Sequence, residues 1–333
     1  MENKFFFDSA KKQPETQSEA GSFILITDKD VPGFNNIAYG KLKLNQGGAI
    51  EPIWHPNANK IGYCTQGKLL VSIRTPETNE VFTVSKGEMC FIPKGYVHHF
   101  ENLDAKESVI SFAFDNNFPE LMQFSKAIYS LKDTVFNTTF HSNSSFAEGL
   151  AKTKSNTVLR KLPKTSSIGK DSSKYKFNIE GAGKPVQTPG GYLRFGIQSV
   201  FPALQGLGIL GFGLNAKGCV EPHWHTNAGE LVFIVKGATR ITILSPDGSI
   251  TTHEVGAGQG IFAPASHFHN IENISSEEAE VIAFFNNAAP DYIGVAEVFG
   301  SYSNDFLASV FNVEPGYFEQ FKKTEKPLII VPV

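Results

Sequence analysis

The sequence predicts an all-β protein with flanking helices, in which one small barrel or sandwich occurs twice in tandem. Three observations carry that expectation. First, the decapeptide EPHWHTNAGE at 221–230 has an echo, EPIWHPNANK, at 51–60, with six of ten positions in agreement. Second, the echo extends. Residues 48–67 align with 218–237 at an offset of 170, and GEMCFIPKGYVHHFEN from Gly87 aligns with GQGIFAPASHFHNIEN from Gly258 at 171, as does FDNNFPEL from Phe114 with FNNAAPDY from Phe285. One residue inserted in the intervening turn (RTPETNE against LSPDGSI) accounts for the change of offset, and three blocks in one order at one spacing indicate a duplicated domain. Third, both copies consist of short β-branched or aromatic runs separated by Gly, Pro, Asn and Asp, as strands in a sandwich or barrel require.

Taken along the chain, MENKFFFDSAKKQ has three Phe before charge resumes, too short for the apolar core of a signal peptide. No stretch reaches the roughly 20 apolar residues of a membrane span, so a soluble, cytoplasmic protein is expected. The first domain is assigned to 1–140, with strands at ILITD, IGYC, KLLVSIRT, VFTV and EMCFIP. A helical stretch follows near 119–132, where apolar residues recur at three- and four-residue spacing. Residues 141–174 are rich in Ser, Thr and Lys and read as a linker. The second domain, 175–333, repeats the strands at LVFIVKG, ATRITIL, GIFAPA and EVIAFF and the helical stretch at 290–311.

Composition excludes several partner classes. With 41% apolar and 19% charged residues and a net charge of −3, neither nucleic acid nor a membrane surface is expected. Cys64, Cys90 and Cys219 fall in separate predicted strands without metal spacing and read as small buried hydrophobes. Their odd number fits a reducing compartment.

The candidate chemistry lies in the second copy. Side chains two apart on a strand share a face, so His223 and His225 can converge while Trp224 points away. Glu230 opens the next strand after the TNAG turn, and His269 follows a Pro-initiated turn in PASHFHNIEN. Three imidazoles and a carboxylate suit Mn, Fe, Co or Ni, with two coordination positions open. His267 reads as a rim residue, His99 as outward-facing, and His253 as part of a turn.

This pattern resembles the cupin superfamily. Gly218, His223, His225, Glu230 and Gly237 fill that family's first motif, and Gly258, Pro264, His269 and Asn273 fill its second. Ser266 replaces the second motif's Gly, which bears on the turn that presents His269. The resemblance implies two jelly-roll barrels and one divalent transition metal, manganese foremost with Fe, Co, Ni or Zn as alternatives, held by His223, His225, Glu230 and His269. In the first copy, Pro93, Gly95, His98, Asn102 and His55 remain, but Ile53 and Lys60 stand at ligand positions, so that barrel is expected to hold no metal. Two readings of Lys60 stay open: a solvated residue leaning outward, or an inward ammonium that binds a small anion with His55 and His98.

Among bicupins, HWH, the Gly190–Arg194 segment GGYLR and the FNN exit strand are similar to the oxalate decarboxylase family and its uncharacterised relatives. That resemblance implies a small oxalate-like carboxylate as substrate, with O₂ a candidate co-substrate, and makes Arg194 the substrate clamp. The family's proton-handling Glu, flanked by serines, has no counterpart in NNAAPDYIG at 286–294; Asp291 is the nearest acid and the candidate general acid. Three functions follow: an oxalate decarboxylase- or oxidase-like enzyme, another metal-dependent cupin enzyme such as a dioxygenase acting on a larger apolar substrate, or a non-enzymatic storage or stress-type cupin. A homo-oligomer is compatible with all three.

Overall fold

A computed structural model describes residues 4–142, 144–151, 157–164, 166 and 171–333. The rest of the Ser/Lys-rich segment lies outside the described residues. Two compact units emerge, Lys11–Asp30 with Asn36–Asn178, and the described part of Met1–Ala10 with Val31–Asn35 and Ile179–Val333.

The first unit is a pair of antiparallel sheets. A seven-stranded sheet runs in the order Lys176–Phe177, Met89–Ile92, Lys60–Gln66, Ser108–Phe114, Ala38–Leu44, Gly21–Ile26, Thr16–Ser18. Its six-stranded partner follows the path Met122–Gln123, Gly48–Trp54, Val97–Asn102, Lys68–Arg74, Asn79–Ser85, with Leu159–Lys161 also on Gly48–Trp54. The second unit repeats both sheets, with Glu230–Lys236 between Gln259–Ala263 and Ala279–Phe285, and Gly218–Trp224 pairing with Phe268–Asn273.

Burial follows strand position. Glu230–Lys236 lies inside its sheet, and its first five residues are all buried. Ala238–Leu244 alternates, with Thr239, Ile241 and Ile243 inward, as expected when one face meets the core and the other solvent. Val232, Ile241, Ile261, Ile271 and Phe285 meet in the centre of the second unit.

Several elements were not announced by local sequence. Phe6–Asp8 pairs with Gln259–Ala263, so the chain's first strand completes a sheet of the second unit. Leu159–Lys161 is a strand inside the segment read as linker, and Arg160 ion-pairs with Glu51 at 2.9 Å. The helical stretches resolve into short strands followed by helices, Met122–Gln123 then Phe124–Tyr129, and Ile293–Gly294 then Val295–Gly300. His253 lies in the strand Ile250–Gly256 rather than a turn, stacked on Phe6 at 5.3 Å.

Residues retained in both copies without being ligand candidates have structural work. Glu221 is buried, and its two carboxylate oxygens accept from the backbone N–H groups of Ile329 and Ala296 at 2.7 and 3.2 Å. Glu51 does the same for Ser125 N–H at 3.1 Å and the Arg160 guanidinium. Each acid thereby ties the segments that follow the barrel to the strand that leads into its motif histidines. Asn273 donates through Nδ2 to the carbonyls of Leu214, Asn215 and Glu277, all within 2.9 Å, and Asn102 donates to Leu44 and Lys106. Asn273→Ala strands the buried Leu214 carbonyl and frees two part-buried ones, and is expected to cost about 2 kcal/mol. Urea unfolding checks this; an unchanged midpoint would show that the carbonyls find other donors.

Candidate metal centre

The second unit brings four side chains to one point. His223 pairs in register with His269 across neighbouring strands, and Glu230 opens an adjacent strand of the other sheet. His223, His225, Glu230 and His269 are all buried, and one nitrogen or oxygen from each lies within 4.8 Å of the others. Glu230 Oε2 is 3.0 Å from His225 Nε2, 2.9 Å from His269 Nε2 and 3.6 Å from His223 Nε2. Trp224 faces away and packs against Phe268.

Backbone carbonyls set the ring chemistry. His223 Nδ1 meets Glu221 O at 2.7 Å, His269 Nδ1 meets His267 O at 2.8 Å, and His225 Nδ1 meets Asp291 O. A carbonyl only accepts, so each Nδ1 carries the ring proton and each Nε2 turns a lone pair inward. Three lone pairs facing a carboxylate repel unless positive charge stands among them. Glu230 Oε1 is moreover buried without a hydrogen-bond partner. A divalent cation satisfies both conditions, so the residues present fit a metal.

The pKa directions express the same demand. Burial opposes charge on Glu230, but the surrounding imidazoles hold its carboxyl well below the usual range. Burial also acts to lower His225, yet the Glu230 carboxylate wins and raises it. His223, buried and beside His269, is pushed down to about 4.

The two predicted catalytic residues are placed differently. Arg194 is not brought to the site. Leu193, Phe195 and Ile197 line the pocket beside His223 and His225, and strand alternation turns Arg194 to the opposite face. There it pairs with Glu180 at 2.5 Å and lies over the Tyr192 ring at 4.6 Å. Asp291 does line the pocket, but its carboxylate accepts from Thr226 N–H at 2.6 Å and from the Thr226 hydroxyl, while its carbonyl orients His225. Its visible role is to position a ligand ring.

Tyr292 was missed. Its ring stacks on His223 at 4.5 Å, nearly parallel, and burial raises its phenol pKa. A signal existed: the aligned blocks place Leu121 in the first copy where Tyr292 stands in the second. The Ser266 departure leaves the turn intact. Ser266 adopts φ 61°, as Gly95 does at 82°, and its N–H reaches His225 O at 2.8 Å as Gly95 N–H reaches His55 O at 2.9 Å. A serine in this left-handed region carries about 1–2 kcal/mol of strain. His267 and His99 are half-buried, and neither belongs to the four-residue group.

In the first unit the reading of Lys60 as a solvated, outward residue is overturned. Lys60 is 2% exposed and donates to His98 Nε2 at 3.4 Å. His55 and His98 are oriented as their counterparts are, through Glu120 O and Tyr96 O. Phe112 stands where the second copy has Ala283, and Phe100 where it has Ile271, giving the ammonium aromatic faces at 4.0 and 5.1 Å. A tethered cation thus stands among the imidazoles of this barrel.

Comparison with known proteins places this geometry. The cupin family profile matches residues 7–148 and 177–316, so the chain belongs to the cupin family, with one domain in each half. It is 24% identical over 336 residues to an oxalate decarboxylase of Arthroderma benhamiae, covering 90% of this chain and 78% of that protein. It is 20% identical to the oxalate decarboxylase OxdC of Bacillus subtilis, covering 91% and 81%. A solved structure of the Bacillus subtilis enzyme, determined in a study of its Mn(II) centres, superposes with a TM-score of 0.87 at 17% identity, covering 100% of this chain and 90% of that one. The fold is therefore a bicupin.

Proposed function

We propose that this bicupin is a metal-dependent enzyme of small carboxylates, with oxalate the first candidate substrate and a single metal site in the C-terminal barrel. The observation that carries the reading is the convergence of three Nδ1-protonated imidazoles and one carboxylate on a buried point. Manganese is the expected ion, on the strength of the Mn(II) centres in the Bacillus subtilis relative. When bound, such an ion supplies Lewis acidity and one-electron chemistry to a chelating carboxylate.

The residues around it set the rest. The Asp291 carbonyl and the ring of Tyr292 hold His225 and His223 in place. Leu193, Phe195, Leu210 and Phe212 wall a pocket of about 140 Å³, small enough to take a compact substrate and apolar enough to strengthen its electrostatic contact with the centre. With Arg194 on the far face, substrate charge must be met at the metal itself. The three cysteines, buried and unpaired, support a reducing compartment such as the cytosol.

The apolar walls and the displaced Arg194 favour one second reading, a dioxygenase acting on a small apolar substrate. Metal analysis followed by an oxalate assay separates the two. Formate with CO₂, or H₂O₂ with CO₂, is the expected result. A manganese-loaded protein that leaves oxalate untouched yet consumes O₂ with an apolar enol would overturn the carboxylate reading. Metal without either turnover would point to a storage-type role.

A further inference from the structure

The N-terminal barrel holds a cluster that the proposed activity does not use. The Lys60 ammonium is buried, donates to His98 Nε2 at 3.4 Å, and sits over the rings of Phe112, Phe100 and Phe114 at 4.0, 5.1 and 5.6 Å. Among the described residues no acidic side chain lies within ion-pair distance of it. Close by, His55 Nε2 is buried and has no hydrogen-bond partner. Lys60 and His55 both line a cavity of about 210 Å³, walled by Phe23, Leu42, Ile50, Ile53 and Leu121. Glu15, the one acid in the lining, is exposed and lies 3.8 Å from Lys12.

A cation with no counter-ion and an orphaned ring nitrogen therefore look into an apolar space. We propose that this cavity binds a small carboxylic acid with an apolar tail, its carboxylate on Lys60 and His55 and its tail against Phe23, Leu42 and Leu121. Three features select that chemistry. A buried ammonium gains most from one full negative charge. The His55 ring proton is held on Nδ1 by the Glu120 carbonyl, so the second carboxylate oxygen meets the Nε2 lone pair through one proton taken up from solvent as the acid binds. The apolar walls, left wet by phosphate or oxalate, are covered by a hydrocarbon chain or single ring. Burial pushes the Lys60 amine down to about 7, which fits a group awaiting an anionic partner. The site is independent of the metal centre and of the activity proposed for it.

Isothermal titration of the full-length protein with hexanoate checks the inference. The expected result is saturable, one-site binding that hexanol does not reproduce and phosphate does not displace. Lys60→Met keeps the length and apolar body of the side chain and is expected to weaken hexanoate at least about 30-fold. Leu121→Trp, at a position 42% exposed on the cavity wall, is expected to weaken it comparably by filling the space. His223→Ala, in the other barrel, leaves it unchanged. Wild-type affinity in Lys60→Met, or loss in His223→Ala instead, overturns the proposal, because the acid then sits on the metal. Equal binding of hexanol overturns it too, as does no binding at all.

Discussion

The His223→Ala variant is expected to lose its metal, with affinity falling at least about 100-fold relative to the intact four-residue set. The reason lies in how the site is built. His223 is one of three imidazoles whose inward lone pairs are fixed by Nδ1–H bonds to backbone carbonyls, and alanine removes one of those lone pairs outright. Trp224 faces away and Tyr292, stacked on the ring, has only a phenol raised further out of reach of ionisation. The control is His98→Ala in the other barrel, which should leave metal content unchanged; a fall there would mean that the N-terminal barrel also binds metal. Acid should have the same effect as the mutation. His225 sits above the ordinary imidazole range because of Glu230, and His223 is pushed down to about 4. As pH falls, protons compete with the ion for the imidazole lone pairs, so metal should be released on acidification toward about pH 4. Elemental analysis after dialysis at graded pH measures this, and full retention at pH 4 would count against the ligand assignment.

The Lys60→Met variant is expected to be more stable than the parent, by on the order of 3–5 kcal/mol at pH 7. Burial lowers the Lys60 pKa from 10.5 to about 7. Between those values the unfolded chain binds a proton that the folded chain does not, so stability from this residue rises with pH across the window. Methionine fills nearly the same volume without the charge, and the Phe100 and Phe112 rings that face the ammonium accept a thioether equally well. The gain should therefore shrink as pH climbs from 7 and nearly vanish by 10.5. Urea unfolding at pH 7 and 10.5 tests both parts. A gain of equal size at the two pH values would mean that packing, not charge, separates the variants. A stability gain paired with loss of hexanoate binding would be the mark of a residue kept for a ligand rather than for the fold.

The repeat, the strand pattern and the ligand set were legible because each rests on local rules. Alternation on a strand puts His223 and His225 on one face, and the Asn-Ala turn brings Glu230 back, whatever surrounds them. The motif Asn residues and the paired acids Glu51 and Glu221 were visible as retained positions, though not as the clamps that they are. Comparing the copies also exposed Ile53 and Lys60 as departures. Tyr292 against Leu121 and Phe112 against Ala283 are differences of the same kind, legible in the alignment of the copies.

What sequence could not supply were facts set by long-range contact. Arg194 fitted a family motif by position, yet whether it meets the pocket depends on strand register, and the register turns it to Glu180 and Tyr192. Asp291 fitted as an acid, yet its carboxylate is taken by Thr226 through a turn that closes only in three dimensions. Phe6–Asp8 joins a strand some 250 residues away, a pairing no local pattern can encode. The direction of Lys60 depended on aromatic rings from two other strands. The sequence by itself determined the duplicated barrel and the four ligand candidates, since strand alternation and turn chemistry are short-range. Only the tertiary structure decided which charged groups are buried and which partners they meet, since burial and pairing are properties of strands brought together from distant parts of the chain.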